Sequence, residues 1–229
     1  MTTSGTYDFS PSVGSLVLGA FDRIQLRPTA LLAEHMARAG VECNLLLSEW
    51  ANRGVNLWKS ELQQISLTQG VSTYTLPTRT VNILVGYISI TTGGITTDRI
   101  LNPISTFEYG ALPQKQTQGP PTIYWFNRQI APQMTLWPVP DNGGPYTMKL
   151  QTMVQVQDAN LPAGETPDIP YRWYDCFTAG LAYRLARIYT PQLEQIRKAD
   201  YNEAWGFAAS EDTEDVPVYI YPALGQYWR

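Results

Sequence analysis

The 229-residue chain is poor in the residues that carry most enzyme chemistry. It has one histidine, His35, and two cysteines, Cys43 and Cys176, far apart in sequence. Cys/His zinc sites are therefore excluded by supply, and the cysteine usage fits a reduced compartment rather than a disulfide scaffold. A Ser–His–Asp or Cys–His arrangement would have to use His35. That residue lies mid-helix in Ala33-Glu34-His35-Met36, where a helix-surface or partly packed histidine is the preferred reading. No Gly-x-Gly-x-x-Gly, phosphate-loop or His-Glu-x-x-His motif occurs. Neither catalytic, cofactor-binding nor metal-binding residues can be assigned.

Charge is scarce too. Only 16% of residues are charged, against ~25% in ordinary soluble domains, and the net charge is −4. An acidic chain without a Lys/Arg stripe is poorly suited to neutralising nucleic-acid phosphates. Long apolar runs are missing: residues 16–21 are broken by Gly19 and stop at Asp22-Arg23, short of the ~20 residues that span a bilayer. The N-terminal Met1-Thr2-Thr3-Ser4-Gly5-Thr6 has no basic region leading into an apolar one. The expectation is a protein made in the cytoplasm, without membrane contact. Aromatics, by contrast, reach 12%, with 14 Tyr and 7 Trp. Few charges with many aromatics predict a surface partly covered by other proteins.

Hydrophobic spacing divides the chain. Val13, Leu16, Val17, Ala20, Phe21 and Ile24 lie three and four apart and predict a helix over 12–25. Leu32, Met36, Ala39, Cys43, Leu46, Leu47 and Trp50 predict another over 29–53, stopped by Gly54. From 57 to 157 the pattern becomes β-branched and aromatic, punctuated by glycines and prolines. It predicts strands near 62–67, 71–76, 81–90, 122–127, 134–137 and 146–156, joined as an antiparallel meander. Ser105 with Glu108 three residues on signals a short capped helix. Helix returns after Asp168-Ile169-Pro170, with the stripe Trp173, Phe177, Leu181, Leu185 and Ile188, and again from 192 to 210 after Pro191. Ala179, Gly180, Ala182 and Ala186 predict close helix packing. The fold class is α+β. Residues 12–56 and 168–212 form a helical bundle, 57–157 an inserted, mainly antiparallel β domain, and 213–229 an extended tail.

Carboxylate pairs could support glycoside hydrolysis, and Glu49, Glu61, Asp168, Asp175 and Glu194 are the candidates. The dense Glu211–Asp215 run reads as a solvated helix end. A cell-wall glycosidase is thus the alternative function, and a nucleic-acid-binding module a weaker third. The tail carries the sharper signal: residues 216–229 hold one charge, Arg229, among Val218, Tyr219, Ile220, Tyr221, Tyr227 and Trp228. Either it folds back as an edge strand or these aromatics anchor on another chain.

Several motifs occur in a familiar order. Leu67-Thr68-Gln69-Gly70-Val71-Ser72-Thr73-Tyr74-Thr75-Leu76-Pro77 is followed by Val81-Asn82-Ile83-Leu84 and by Ile104-Ser105-Thr106-Phe107-Glu108-Tyr109. Then come Gln118-Gly119-Pro120-Pro121-Thr122, Leu136-Trp137-Pro138-Val139-Pro140-Asp141 and Asp168-Ile169-Pro170-Tyr171-Arg172-Trp173. Residues 179–186 and 199–204 complete the series. Over residues 31–212 the chain resembles the head-to-tail adaptors of short-tailed bacteriophages, also called packaged-DNA stabilisation proteins or tail accessory factors.

The resemblance implies a virion neck protein without enzymatic activity or cofactor. It implies a ring of twelve copies under the portal that continues the DNA channel, retains packaged DNA and docks the tail nozzle or hub. Genomic DNA would pass through without sequence-specific binding. The tail residues Val218, Tyr219, Ile220, Tyr221, Tyr227 and Trp228 would insert into the portal protein.

Overall fold

The computed structural model describes residues 3–54, 57–92, 94–161 and 164–213. It is an α+β fold: among the described residues, four helices at the two ends of the chain and, between them, a curled seven-stranded sheet that also carries a fifth, short helix.

Helix α1 spans Val13–Arg23; Ser12 caps it, its hydroxyl accepting the Ser15 N–H at 3.2 Å. The second expected helix starts later than its apolar spacing suggests. Pro28–Ala30 form a single 3-10 turn, the chain extends through Leu32, and α2 runs Ala33–Arg53. His35 sets that start, because its Nδ1 accepts the Leu32 N–H at 2.9 Å and so satisfies a donor the helix cannot. Gly54, at φ +73°, ends α2 in the left-handed region that favours glycine.

Helices α4 (Tyr174–Tyr189) and α5 (Glu194–Ser210) follow the sheet, each preceded by a 3-10 turn. Helix α4 is the centre of the bundle and packs on α1, α2 and α5. Gly180 is where three helices meet: a Cβ there would lie 2.8 Å from the Tyr201 ring and 3.0 Å from Leu46. Ile188 falls outside the expected buried stripe and is 40% exposed.

The bundle core is aromatic. Trp50 and Trp173 are fully buried with ring centroids 4.9 Å apart, and Trp58 and Trp205 pack on Trp173 at 4.9 and 5.1 Å. Four of the seven tryptophans are therefore consumed internally, which corrects the expectation that the aromatic surplus belongs to the surface.

The sheet order is β1-β7-β3-β4-β5-β6-β2, with β1 Ser60–Ser66, β2 Thr73–Thr75, β3 Thr80–Thr92, β4 Ile95–Ile104, β5 Ile123–Asn127, β6 Gln133–Trp137 and β7 Tyr146–Val154. This is not a meander: the last strand inserts between the first and third, and β4 pairs with β5 in parallel. The short helix α3 (Thr106–Ala111) makes that parallel pairing possible by carrying the chain back to the same end. Its capping box forms as the sequence indicates, Ser105 Oγ accepting the Glu108 N–H and Glu108 accepting the Ser105 N–H.

Strand β4 has no counterpart in the sequence reading. Residues 95–100 are exposed on both faces, so no apolar–polar alternation marks them. A second apolar cluster, including Leu76, Ile88, Leu101, Met134, Leu136, Met148 and Leu150, lies inside the curl, separate from that of the bundle.

Candidate interaction surfaces and the joint between bundle and sheet

Two aspartates tie the sheet to the C-terminal helices. Asp168, just ahead of α4, receives the Lys59 ammonium at 2.7 Å and the Gln157 N–H at 3.0 Å, one group from each chain crossing into the sheet. Asp212, just beyond α5, is 5% exposed and accepts from Arg172 at 3.0 Å and from the Leu57 N–H at 3.2 Å. The acidic run is thus not uniformly solvated: its second residue is a buried clamp. The expected anchors Val218, Tyr219, Ile220, Tyr221, Tyr227 and Trp228 lie outside the described residues. They follow Asp212 in the sequence.

Around that point stand exposed apolar side chains. Phe207 lines a groove of about 270 Å³ with Arg172, Ala204 and Glu211. Tyr171 borders a shallow depression of about 770 Å³ with Tyr7 and Phe9, and Phe9 meets Tyr174 edge-on at 6.0 Å. At the sheet, Phe107 and Ile130 are 85% and 96% exposed. On the bundle's flank Met36, Gly40 and Val41 form a groove of about 560 Å³ with Leu161, whose side chain lies 3.0 Å from where a Gly40 Cβ would stand.

The candidate carboxylates are occupied by cations. Glu49 binds Arg184 at 2.7 Å and also Arg53; Glu61 binds Arg79, Asp168 binds Lys59, Asp175 binds Arg23 and Glu194 binds Arg187. Burial pushes the Glu49 carboxyl up, but the hydrogen bonds and charges of Arg184 and Arg53 outweigh it and hold the group below its ordinary value. A general acid needs the opposite shift.

Glu49 belongs to a structural network in which Arg184 also reaches Glu42, Tyr201 donates to Glu49, and Trp50 donates to the Tyr201 hydroxyl at 3.0 Å. His35 packs against Phe21 and Tyr189 at 6.4 and 5.0 Å. Burial pushes the Cys43 and Cys176 thiols up to about 12, so neither is a thiolate nucleophile at neutral pH. Among the described residues no group of three or more His, Cys, Asp or Glu could hold a metal ion.

The candidate carboxylates are thus committed to ion pairs, the joint is filled with tryptophan, and apolar side chains stand exposed near Asp212 and on the sheet. The chain belongs to the SU10 adaptor protein family, whose model matches residues 22–221. It is accordingly a phage structural adaptor, a virion component that associates with other phage structural proteins. A search of curated proteins found no match. No helix among the described residues is long and apolar enough to cross a membrane.

Proposed function

We propose that the chain is the head-to-tail adaptor of a short-tailed phage. Twelve copies form a ring at the virion neck, beneath the portal, that extends the DNA channel, retains the packaged genome and docks the tail nozzle or hub. The observation that carries this reading is the tail root. A segment of 14 residues with a single charge and six aromatic or aliphatic anchors between 218 and 228 follows, four residues on in the sequence, a buried, doubly bonded aspartate. Fixing one end reduces the freedom the segment loses when it docks, and Tyr and Trp are the side chains that anchor interfaces most strongly. Val218, Tyr219, Ile220, Tyr221, Tyr227 and Trp228 make the portal contact. DNA slides through the ring without sequence-specific grip, in keeping with a net charge of −4 per chain. The bundle and the sheet act as separate folding units, with the sheet directed to the tail.

The test is removal of residues 216–229. The shortened chain keeps its circular dichroism spectrum and melting temperature, and its co-sedimentation with portal rings is lost. Portal binding at full-length strength would refute the assignment.

A further inference from the structure

One edge of the sheet is open beside the point where the tail begins. Strand β1 stands first in the sheet order and pairs with β7 alone. Its residues, Ser60–Ser66, include no lysine or proline, with which proteins commonly block an edge. Asp212 accepts the Leu57 N–H at 3.2 Å, three residues ahead of β1. A chain that continues from Asp212 alongside β1 in the same direction therefore brings residues 216–221 level with 61–66. That segment, Val216-Pro217-Val218-Tyr219-Ile220-Tyr221, is made of β-branched and aromatic residues around one proline, a strand composition.

The hydrogen-bonding phase agrees with this register. The Leu67 N–H points to β7, bonding Tyr146 at 2.9 Å, so by the two-residue period Leu62, Gln64 and Ser66 direct their N–H and C=O groups out of the open edge. In a parallel ladder each such residue bonds the two residues that flank its counterpart. Leu62, level with Pro217, then donates to the Val216 C=O and accepts the Val218 N–H. Gln64, level with Tyr219, donates to the Val218 C=O and accepts the Ile220 N–H. Pro217 stands where no N–H is needed, and Pro222 ends the run. A slip of one residue sets Pro217 against the ladder and turns every side chain to the other face.

Side chains fit the same register. Val216, Val218 and Ile220 share the face of Glu61, Gln63 and Ile65, which are partly buried, and Ile65 packs on the apolar cluster inside the curl. Tyr219 and Tyr221 share the exposed face of Leu62, Gln64 and Ser66, where Leu62, 48% exposed, lies beside Pro217 and Tyr219. Residues 216–221 carry no charge, and the one charge on β1, Glu61, is held by Arg79 at 2.8 Å. No unpaired charge enters the seam. We propose that in the free chain residues 216–221 pair in parallel with the open edge of β1, and that portal takes the segment from this edge.

The exchange with portal rests on the reading given above, whereas the strand pairing stands without it. A single edge strand of six residues opens at little cost, so the segment is available to portal. It is also lost on heating before the body melts, so its removal leaves the melting temperature in place.

The pair Gln64→Cys/Tyr219→Cys tests the register. Level residues on neighbouring strands are ~4.8 Å apart, within disulfide reach, and the native Cys43 and Cys176 are buried. In the free full-length chain, mild oxidation closes this pair at least tenfold faster than Gln64→Cys/Ile220→Cys, whose side chains leave opposite faces. Amide exchange of the chain without substitutions gives an independent reading. Leu62, Gln64 and Ser66 exchange at least tenfold more slowly in the full chain than in the chain ending at residue 215. Equal closure of the two cysteine pairs, or equal exchange of the two chains, overturns the pairing. The oxidised Gln64→Cys/Tyr219→Cys chain is then mixed with portal rings. Its co-sedimentation is at least tenfold below that of the reduced chain and returns on reduction. Equal binding by both forms overturns the exchange. Failure of the unaltered chain to bind portal overturns the exchange together with the portal reading, and the disulfide still reports the strand.

Discussion

Replacing Asp212 with alanine removes a carboxylate that is 1% exposed at its side chain and holds two partners. The loss divides unequally between them. Arg172 is 36% exposed and recovers water, so its share is discounted to well under 1 kcal/mol. The Leu57 N–H loses the acceptor that covers it at a partly buried position, at ~1–2 kcal/mol, and the last turn of α5 loses its attachment to the joint.

The expected total is ~2 kcal/mol. With a urea dependence of ~2 kcal/mol per molar for a chain of this size, the midpoint falls by ~1 M at unchanged slope. The complementary change, Arg172→Met, is more damaging at ~3 kcal/mol, because it leaves the carboxylate buried with a single neutral donor. The double variant then sits near Asp212→Ala alone, since the stranded charge is gone. Urea titrations of the three variants followed by circular dichroism check this. Asp212→Ala within 0.5 kcal/mol of the parent, or additive single effects, would refute the reasoning.

Further outcomes follow from the bundle. Gly180→Ala gains ~1 kcal/mol of helix propensity but drives a methyl against the Tyr201 ring and Leu46, so it lowers stability by ~1–3 kcal/mol net in the same titration. Trp50→Phe costs more than Trp173→Phe beyond their similar loss of volume. Trp50 gives up its bond to Tyr201, whereas the Trp173 indole N–H has no partner among the described residues; thermal melts that rank them the other way contradict the network. At alkaline pH the buried thiols contribute a loss of stability of their own, alongside buried tyrosines such as Tyr146. Cys43 and Cys176 titrate near 9 when unfolded and near 12 when folded, so their contribution is complete below pH 9 and is lost as pH rises towards 12. The decline reaches ~1.4 kcal/mol per pH unit for each thiol, and the double alanine variant lacks that component when stability is measured against pH.

Features whose cause is local were legible in the amino-acid order. The Ser105–Glu108 capping box, the Ser12 cap and the apolar faces of α1, α2 and α4 each arise within a few residues, and each stands where spacing places it except at Leu32, ahead of α2, and Ile188, near the end of α4, which are exposed. Strand β4 was not legible, because a strand exposed on both faces has no reason to alternate. The insertion of β7 between β1 and β3 was not legible either, since it depends on pairings some ninety residues apart, as between Ser60 and Met153. The same distance effect hid the clamp. Asp212 reads as one more acid in Glu211-Asp212-Thr213-Glu214-Asp215 until folding brings Arg172 and Leu57 to it. The surplus of aromatics had two sources, a buried tryptophan joint and an exposed set that includes Tyr7, Phe107, Tyr171 and Phe207, and composition alone cannot separate them.

That joint also makes the protein its own optical reporter. Trp50, Trp58, Trp173 and Trp205 sit within about 6 Å of a neighbour in the cluster, at the place where the chain passes from helices to sheet. Excitation collected by any of them is shared by all. A slight parting of sheet from bundle therefore admits water to the shared emitter and shifts the emission to the red while the helices remain intact. Fluorescence followed during assembly would register strain at the neck of the molecule without any added label.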